Sequence, residues 1–455
     1  MSSPPDAERL LAAHERVRRV IDVDLVRLAP RRKDPAGKVA AALAFNAALG
    51  DPQRAFVSIQ VAGTSGKGSV CALLAGALHA AGLRTGLHVS PYLQAFAEKT
   101  WIAGRYADPL QLERALDRLL PVAKRFAADP DGPASVHGMA SLAASYLAFA
   151  EAECEVVVME TGCGGRFDLV QGLRRAASVV TDLALDHQQA LGETLEQIAW
   201  HKAGIVEAGV PAVVIEGPGA AVVAAEAARV GAPWTGVEPA RVLARANGEW
   251  TLRLPAWGEV ALPLELAGYR LRNLALAAAT LDRLAADGWP VAPEHLVAAA
   301  RRRLLPGRCE VVQEGPRVIL DGAHNPHKLT ALAEALADRA AAGVCVVYAA
   351  TGARPPGPCL AALAPLAPRV VATELELYGK ACVPAREAAR AARALGLAAE
   401  AAPRPEDALA RALASGAPTV VVTGSIFLAG RLRERWVPWR DVVVTGASWP
   451  RGGDA

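Results

Sequence analysis

Hydrophobic positions in the first two thirds of the chain follow two alternating periods. Uninterrupted apolar runs are typical of buried strands, and runs recurring every three or four residues are typical of one helix face. The predicted strands are 57–62, 87–89, 155–159, 178–181 and 212–215, and the predicted helices are 69–81, 110–127, 139–152, 195–207 and 271–286. This alternation predicts a doubly wound, mostly parallel α/β sheet.

The alternation is interrupted once and then resumes. Between 241 and 266, Asn247 and Gly248 separate two strand-like runs, a pattern that predicts a small antiparallel hairpin region. We interpret RRRLLPGR, Arg301–Arg308, as a hinge. Beyond it the predicted strands are 317–320, 344–348, 369–372 and 419–423, with helices near 326–339, 384–395 and 405–414. A chain of 455 residues exceeds the size of one core. We therefore predict an N-terminal domain over 1–305 and a smaller, Rossmann-like α/β domain over 306–455.

Composition narrows the class of protein. With 52% hydrophobic residues, 21% charged residues and a net charge of +3, the chain has an ordinary globular balance. Its densest basic run, Arg301–Arg303, is only three residues long, and the lack of a longer basic block disfavours a nucleic-acid partner. The seven cysteines have no CxxC spacing and the N-terminus has no apolar signal core. We therefore expect reduced thiols, a cytoplasmic location and no membrane segment.

A glycine-rich turn follows the first predicted strand, in the order VSIQVAGTSGKGS. Glycines allow backbone N–H groups to face an anion, a helix start adds its positive end, and Lys67 adds a charge. The Ser69 hydroxyl could ligate Mg²⁺. Only Thr64 and Ser65 separate Gly63 from the Gly66–Lys67 pair, whereas the common P-loop has four residues there. The alternative is a plain glycine turn capped by Ser69. We interpret the turn as a nucleotide phosphate loop.

Three further polar groups follow predicted elements of the first domain. Glu160 follows a buried strand, where a carboxylate could hold a metal beside phosphates, or could simply be solvated. His187, next to Asp186, is a metal-capable histidine, although an isolated histidine is more often structural. Lys202 lies one helix further along, among apolar residues.

The second domain offers a similar set. Arg308 at the hinge could contact phosphates, or could be a surface arginine after a turn. Asp321 and His324 end one predicted strand in DGAHNPH, and Ser425 ends another in VTGSIFL. Taken alone, each of these residues leaves its role open.

Together the motifs resemble one family. GTSGKGS, SPYL, ETGCGGRFD, ALDHQQALGETLEQIAWHKAGI, LPGR, DGAHNPH and VTGSIFLAG occur in the order seen in the folylpolyglutamate synthase/dihydrofolate synthase branch of the Mur ligases. The resemblance extends from about residue 55 to residue 436. It implies an N-terminal P-loop ATPase domain, a C-terminal ligase domain and ATP held between them.

The resemblance also implies a reaction. A carboxylic acid takes the γ-phosphoryl group of ATP, and the amine of L-glutamate displaces phosphate from the acyl phosphate to form an amide. The expected acid is a pterin-type one, dihydropteroate or a folate. The expected cofactors are ATP and Mg²⁺, with two metal sites and room for a monovalent cation, and the expected oligomeric state is a monomer.

Residue roles transfer position by position. The resemblance implies that Lys67 and the loop backbone bind phosphates. The implied phosphate-loop residues are Gly63, Thr64, Ser65, Gly66, Lys67, Gly68 and Ser69; the implied Mg²⁺ ligands are Ser69, Glu160 and His187. Lys202 matches a lysine that is carbamylated and assists a second metal; burial favours the uncharged amine that captures CO₂. Asn273 matches an adenine-binding asparagine and Arg308 a phosphate-binding arginine. Asp321, His324 and Ser425 match positions near the nucleotide and the incoming amino acid.

Several positions depart from the family pattern, mostly on the substrate side. The departures are Ser65, Tyr92, His137–Gly138, Leu169–Gln171, Arg270 and the segment 352–357. A Mur-type ligase acting on a non-folate acid is therefore the alternative function. A nucleotide-binding homologue without catalysis is the third, and the joint presence of Lys67, Glu160, His187, Lys202 and Arg308 speaks against it.

Overall fold

The structure is a computed structural model. It describes residues 4–28, 35–129, 136–246, 249–262, 268–302, 305–352, 355–366, 368–377 and 381–450. Contacts divide the chain into two compact units. The first contains residues up to 264, 271–304 and 440 onward, and the second contains 265–270 and 305–439.

The first unit is built on a mostly parallel sheet of eight strands in the order β4-β3-β2-β5-β1-β6-β7-β8. Its strands are β1 Val57–Ala62, β2 Thr85–His88, β3 Thr100–Ile102, β4 Arg105–Tyr106, β5 Val156–Glu160, β6 Arg175–Val180, β7 Ala212–Ile215 and β8 Trp234–Val237. The helices up to β8 are α1 Pro4–Arg19, α2 Leu25–Leu28, α3 Pro35–Ala47, α4 Lys67–Ala80, α5 Pro109–Ala128, α6 Val136–Glu151, α7 Gln188–Leu191, α8 Leu195–Ala203 and α9 Ala220–Val230. Strand β1 pairs in parallel with β5 and β6, so the three strands end at the same sheet edge.

A second, three-stranded sheet follows in the same unit. It consists of β9 Arg241–Ala246, β10 Glu249–Leu254 and β11 Gly258–Leu262, and both pairings are antiparallel. This confirms an antiparallel region where Asn247 and Gly248 predicted a hairpin, although those two turn residues lie outside the described residues. Helices α10 Tyr269–Ala286 and α11 Pro293–Arg302 come next.

The second unit contains a six-stranded sheet in the order β12-β13-β17-β14-β15-β16, parallel except for the edge strand β12. Its strands are β12 Glu310–Glu314, β13 Arg317–Leu320, β14 Val344–Tyr348, β15 Arg369–Ala372, β16 Ala399–Ala401 and β17 Thr419–Thr423. Its helices are α12 Pro326–Ala335, α13 Pro356–Leu363, α14 Ala385–Ala394, α15 Pro405–Leu413 and α16 Ile426–Arg433; α17 Trp439–Thr445 ends the described helices. The two α/β units confirm the predicted fold class.

The C-terminal residues depart from the predicted division at 306–455. From residue 440 onward the chain belongs to the first unit, where Gly446 O accepts a 2.8 Å hydrogen bond from Tyr106 N. Arg105 Nη2 donates to Thr445 O at 2.7 Å, and the Tyr106 hydroxyl is hydrogen-bonded to Ser448. Polar pairing with the short strand β4 therefore holds these C-terminal residues in the first unit. Within the described chain, no helix has the length and apolar character needed to cross a membrane.

Candidate active site

The glycine turn connects the carboxyl end of β1 to the start of α4. Gly63 and Gly66 have φ values of 147° and 84°, which favour glycine, and Gly66 is the N-cap of α4. The helix begins at Lys67, two residues earlier than predicted, so Ser69 lies in its first turn and does not cap it. The turn therefore presents backbone N–H groups at a helix start, the arrangement that binds phosphate.

Two lysines converge on one carbonyl of this turn. Lys67 Nζ donates to Gly63 O at 3.1 Å, and Lys202 Nζ, from α8, donates to the same oxygen at 2.8 Å. Lys202 is only 3% exposed. The ammonium group of Lys67, at the start of α4, places positive charge at the loop, which favours an anionic ligand there.

The pKa values of two cysteine thiols near the loop reflect the charges around it. Burial raises the pKa of the Cys163 thiol, after β5; the charge of Lys202 opposes that rise, the Asp168 carboxylate adds to it, and Lys38 and Lys67 oppose it more weakly. Burial also raises the pKa of the Cys71 thiol in α4, where the Glu160 carboxylate adds to the rise and Lys67 opposes it. Three lysines and two carboxylates thus act on the region around the loop.

Asn273 lies directly against the loop. A Cβ placed on Gly66 would come within 2.3 Å of Asn273 Oδ1, so the loop and α10 approach each other here as only glycine permits. Asn273 is 5% exposed, and its Nδ2 has no hydrogen-bond partner among the residues that the structure describes. A buried donor without a partner is costly, and a nucleotide acceptor at this position would satisfy it. Asn273 therefore fits a nucleotide contact.

Residues after β6 hold the loop from its other side. Thr64 N donates to Asp182 O at 2.8 Å, and Thr64 Oγ1 donates to Ala184 O at 3.0 Å. Thr181 Oγ1 donates to Ser65 O at 2.6 Å. The hydrogen bonds of Thr64 and Ser65 thus fix the shape of the loop, whereas Lys67 and the start of α4 carry its positive charge.

Glu160 ends β5, and its carboxylate is turned toward the neighbouring strand. Its Oε2 accepts a 2.9 Å hydrogen bond from Ser90 N, just after β2, and the side chain is nearly buried. His187 has a left-handed φ of 51° and a side chain that is 47% exposed; its Nε2 lies 3.9 Å from Asp186 Oδ2. Glu160 is thus in place at the sheet edge, while the His187 ring lies more in solvent.

The donor set suits Mg²⁺ in its chemistry. No group of three or more His, Cys, Asp or Glu side chains that could hold a metal occurs among the described residues. Mg²⁺, however, is usually bound through one or two carboxylates, with water and substrate phosphates as the other ligands. The predicted set of Ser69, Glu160, His187 and Lys202 contains one carboxylate and fits that pattern.

In the second unit, Arg308 lies on a tightly held turn. Gly307 and Cys309, on either side of it, have φ values of 67° and 50°. Gly322 N donates to Gly307 O at 3.0 Å, and Cys309 N donates to Asp321 Oδ2 at 2.8 Å. The Arg308 guanidinium lies across Gly322, where a Cβ would come within 2.5 Å of Nη1. The backbone is therefore fixed on both sides of the arginine.

The other predicted residues of this unit surround the same strand ends. Asp321 also accepts Ala323 N at 2.7 Å through Oδ1, so each of its oxygens holds a backbone N–H. His324 Nδ1 donates to Gly322 O at 2.8 Å, and Lys328 Nζ donates to His324 Nε2 at 3.3 Å. Ser425 is the N-cap of α16 and accepts Phe427 N. The geometry thus groups Arg308, Asp321 and His324 around Gly322.

The substrate-side departures have partners of their own. The Tyr92 hydroxyl donates to Asp22 Oδ2 at 2.7 Å, linking the loop after β2 to the N-terminal helices. Gln171 Nε2 donates to Gly165 O at 2.6 Å and to Gly204 O at 3.1 Å. His137 lies in the first turn of α6, and Arg270 Nη2 donates to Arg308 O at 3.2 Å. Within 352–357, residues 353 and 354 lie outside the described residues.

The sequence interpretation missed two groups that follow strands β2 and β5. Ser90 lies in SPYL, and its backbone contact with Glu160 depends on β2 lying next to β5. Asp168 is buried after β5, and burial raises the pKa of its carboxyl, opposed by the charge of Lys38 and by backbone N–H donors that include Val170 N and Cys163 N. A glycine-rich loop that ends in aspartate was the available signal, but sequence spacing does not give burial.

Comparisons with known proteins agree with this geometry. The family profile described as "Mur ligase, glutamate ligase domain" matches residues 307–426. The folylpolyglutamate synthase of Lacticaseibacillus casei is 30% identical over 408 residues, covering 85% of this chain and 91% of that protein. Among solved structures, the Mycobacterium tuberculosis folylpolyglutamate synthase complexed with ADP has a TM-score of 0.82 and 27% identity, covering 94% of this chain and 98% of that one. The Yersinia pestis bifunctional folylpolyglutamate synthase/dihydrofolate synthase complexed with AMPPNP and Mn ion has a TM-score of 0.74 and 26% identity, covering 87% and 93%.

Two α/β units, the first with a phosphate loop, define a ligase of the Mur type. Similarity to the Lacticaseibacillus enzyme extends over most of both chains. The chain belongs to the folylpolyglutamate synthase/dihydrofolate synthase family, and the resemblance stated from its motifs is confirmed.

Proposed function

We propose that this enzyme joins L-glutamate to a pterin-type acid, dihydropteroate or a folate, at the expense of ATP. A carboxylate oxygen of the acid attacks the γ-phosphorus and ADP leaves. The glutamate amine then attacks the acyl carbon and loses a proton, the C–O bond breaks, and inorganic phosphate departs as the amide forms. The observation that carries this proposal is the glycine turn between β1 and α4, where Lys67 begins the helix and its Nζ lies 3.1 Å from Gly63 O. A cation fixed at that loop can stabilise charge on phosphoryl oxygens.

The residue roles are part of the proposal. The loop backbone and Lys67 bind phosphates, and Asn273 binds the nucleotide base. Ser69, Glu160 and His187 hold a divalent cation, which supplies charge neutralisation at the phosphates when bound. Arg308 contacts phosphate, and Asp321, His324 and Ser425 support the nucleotide and amino-acid side. A monovalent cation, a monomeric state and a cytoplasmic location remain predictions; the seven free cysteines are compatible with the last.

The substrate proposal is tested by a screen of acids. With MgATP and L-glutamate, we expect ADP release and an amide product with dihydropteroate or a reduced folate, and none without acid. Coupled ADP detection and mass spectrometry of the product provide the readout. Product with only a non-folate acid would favour the alternative ligase, which the departures at Tyr92 and 169–171 motivate.

A second prediction concerns Lys202, which we propose is carbamylated and contributes to a second metal site. The residue is 3% exposed and its Nζ lies 2.8 Å from Gly63 O, in the glycine turn where we propose that the phosphates bind. We expect intact-protein mass spectrometry in bicarbonate buffer to detect one added CO₂. Lys202→Ala should lose about 100-fold in kcat and its activity should not respond to bicarbonate.

Lys99→Ala is the matched control for Lys202→Ala. Lys99 is a half-buried lysine of the first unit, less buried than Lys202, and its Nζ donates to Ser141 Oγ at 2.6 Å. We expect the Lys99 variant to keep the added mass and the bicarbonate response. The same added CO₂ mass in the parent and in Lys202→Ala would contradict a carbamate on Lys202.

A further inference from the structure

A buried ion pair in the second unit takes no part in the proposed ligation reaction. Arg433, the last residue of α16, is fully buried, and Glu310, the first residue of β12, is 5% exposed. Arg433 Nε donates to Glu310 Oε1 at 2.9 Å, and Arg433 Nη2 lies 2.8 Å from the same oxygen. Burying two charges is expensive, and such a pair often contributes little net stability compared with an apolar replacement. Net stability alone therefore does not explain why the pair is present.

The pair is connected directly to the turn that carries Arg308. Glu310 Oε2 accepts a 2.8 Å hydrogen bond from Gly307 N, and it also accepts Arg433 Nε at 3.0 Å. One carboxylate thus joins the backbone of the turn to the guanidinium of α16, which lies 123 residues from Glu310 in sequence. Because Arg433 fixes the carboxylate, the carboxylate in turn fixes Gly307.

The turn needs such support. Gly307 and Cys309 both have left-handed φ values, and a non-glycine residue in that region costs free energy unless its surroundings impose the conformation. Asp321 holds Cys309 N on one side of Arg308, and Glu310 holds Gly307 N on the other. Without Glu310 the Gly307 N–H would be a buried donor without a partner, and the turn could relax.

We propose that the Glu310–Arg433 pair is a positioning device for Arg308. The pair holds the backbone of residues 307–309 so that the Arg308 guanidinium stays across Gly322, beside His324. Glu310 and Arg433 touch no substrate in this proposal and act only through Arg308. The inference rests on the proposed phosphate-binding role of Arg308.

A double-mutant cycle on the full-length enzyme tests the inference. Arg308→Ala should reduce kcat about 100-fold or more. Glu310→Gln should reduce kcat about 10- to 100-fold, because a shift of about 1 Å in a charge-stabilising group has effects of that size. The double variant should be no less active than Arg308→Ala, since the pair has nothing left to position. The affinity for AMPPNP, measured by calorimetry, should follow the same non-additive pattern.

Two control variants separate positioning from general loss of stability. Glu400→Gln makes the same chemical change in a partly exposed carboxylate of the second unit that pairs with Arg369 and Arg411. Val370→Ala removes buried volume from β15, four strands from β12 in the sheet order. Both should keep parent-like kcat, even where the melting temperature of Val370→Ala falls as far as that of Glu310→Gln. If Glu310→Gln does not fold, Arg433→Lys, which keeps the charge and loses the paired N–H donors, replaces it in the cycle.

The outcomes distinguish the two levels of the argument. Parent-like activity of Arg308→Ala would refute the proposed role of Arg308 itself. A reduced Arg308→Ala together with multiplicative losses in the double variant would show that Glu310 acts independently of Arg308, and would overturn the positioning role alone. Parent-like kcat in Glu310→Gln would overturn it as well.

Discussion

Lys67→Ala is expected to reduce kcat by about 100- to 1,000-fold, the loss typical when one donor to transition-state charge is removed. Lys67 begins α4, and its amine lies 3.1 Å from Gly63 O at the carboxyl end of β1. Transferring a phosphoryl group requires cations fixed beside its oxygens, and alanine supplies none. Steady-state ADP release with MgATP, L-glutamate and the productive acid measures the effect.

The control for this variant is Lys124→Ala. Lys124 lies on an exposed position of α5 and carries the same charge, so its removal changes the net charge equally. We expect Lys124→Ala to match the parent in kcat and in affinity for AMPPNP. Parent-like turnover in Lys67→Ala would contradict the assignment of the glycine turn as the phosphate loop.

Buried parallel strands are the part of the fold that sequence predicts best. The runs at β1, β7, β13, β14, β15 and β17 were predicted at their observed bounds. Such strands are buried on both faces, so they consist of nearly continuous apolar residues between polar turns. The bounds of β5 and β6 shifted by one to three residues, because Glu160 and Arg175 are polar ends of otherwise apolar strands.

Short and edge elements escaped prediction for the opposite reason. Strands β3 and β4 contain three and two residues, too few to display a period. Edge strand β12 carries glutamates at both ends. One of them, Glu310, is a charged residue that is buried beside its partner Arg433, which comes from a distant helix. No local pattern encodes a partner 123 positions away.

The candidate site, like the fold, could be predicted from the sequence only in part. Strand ends at Glu160 and Asp321 could be predicted to carry chemistry, since polar residues after buried strands gather at one edge of a parallel sheet. Which strand ends become neighbours depends on strand order. The contact of Lys202 with Gly63, 139 residues away, and that of Ser90 with Glu160 both follow from that order and from where α8 packs.

Alanine at Gly63 should have the largest effect on stability of any single methyl group added to the loop. A Cβ there would lie 1.8 Å from Thr181 Oγ1 and 3.2 Å from the Thr181 carbonyl carbon. A rotamer change of Thr181 moves the hydroxyl but not the backbone, and the φ of 147° is itself unfavourable for alanine. We expect Gly63→Ala to lower the free energy of unfolding by at least about 3 kcal/mol, measured by urea denaturation.

Two other glycines turn this prediction into a graded series. Gly82, just after α4, has a φ of 88° with nothing within 4 Å of its Cβ position, so Gly82→Ala should cost only about 1 kcal/mol of backbone strain. Gly66 has a similar φ of 84°, but its Cβ would meet Asn273 Oδ1, the end of a side chain, at 2.3 Å. Its cost should therefore fall between the other two. Adding Asn273→Ala to Gly66→Ala should return the cost toward that of Gly82→Ala, because the remaining penalty is backbone strain alone. Equal costs for all three single variants would mean that φ, and not the close approach of β6 and α10 to the loop, explains why glycine occupies these positions.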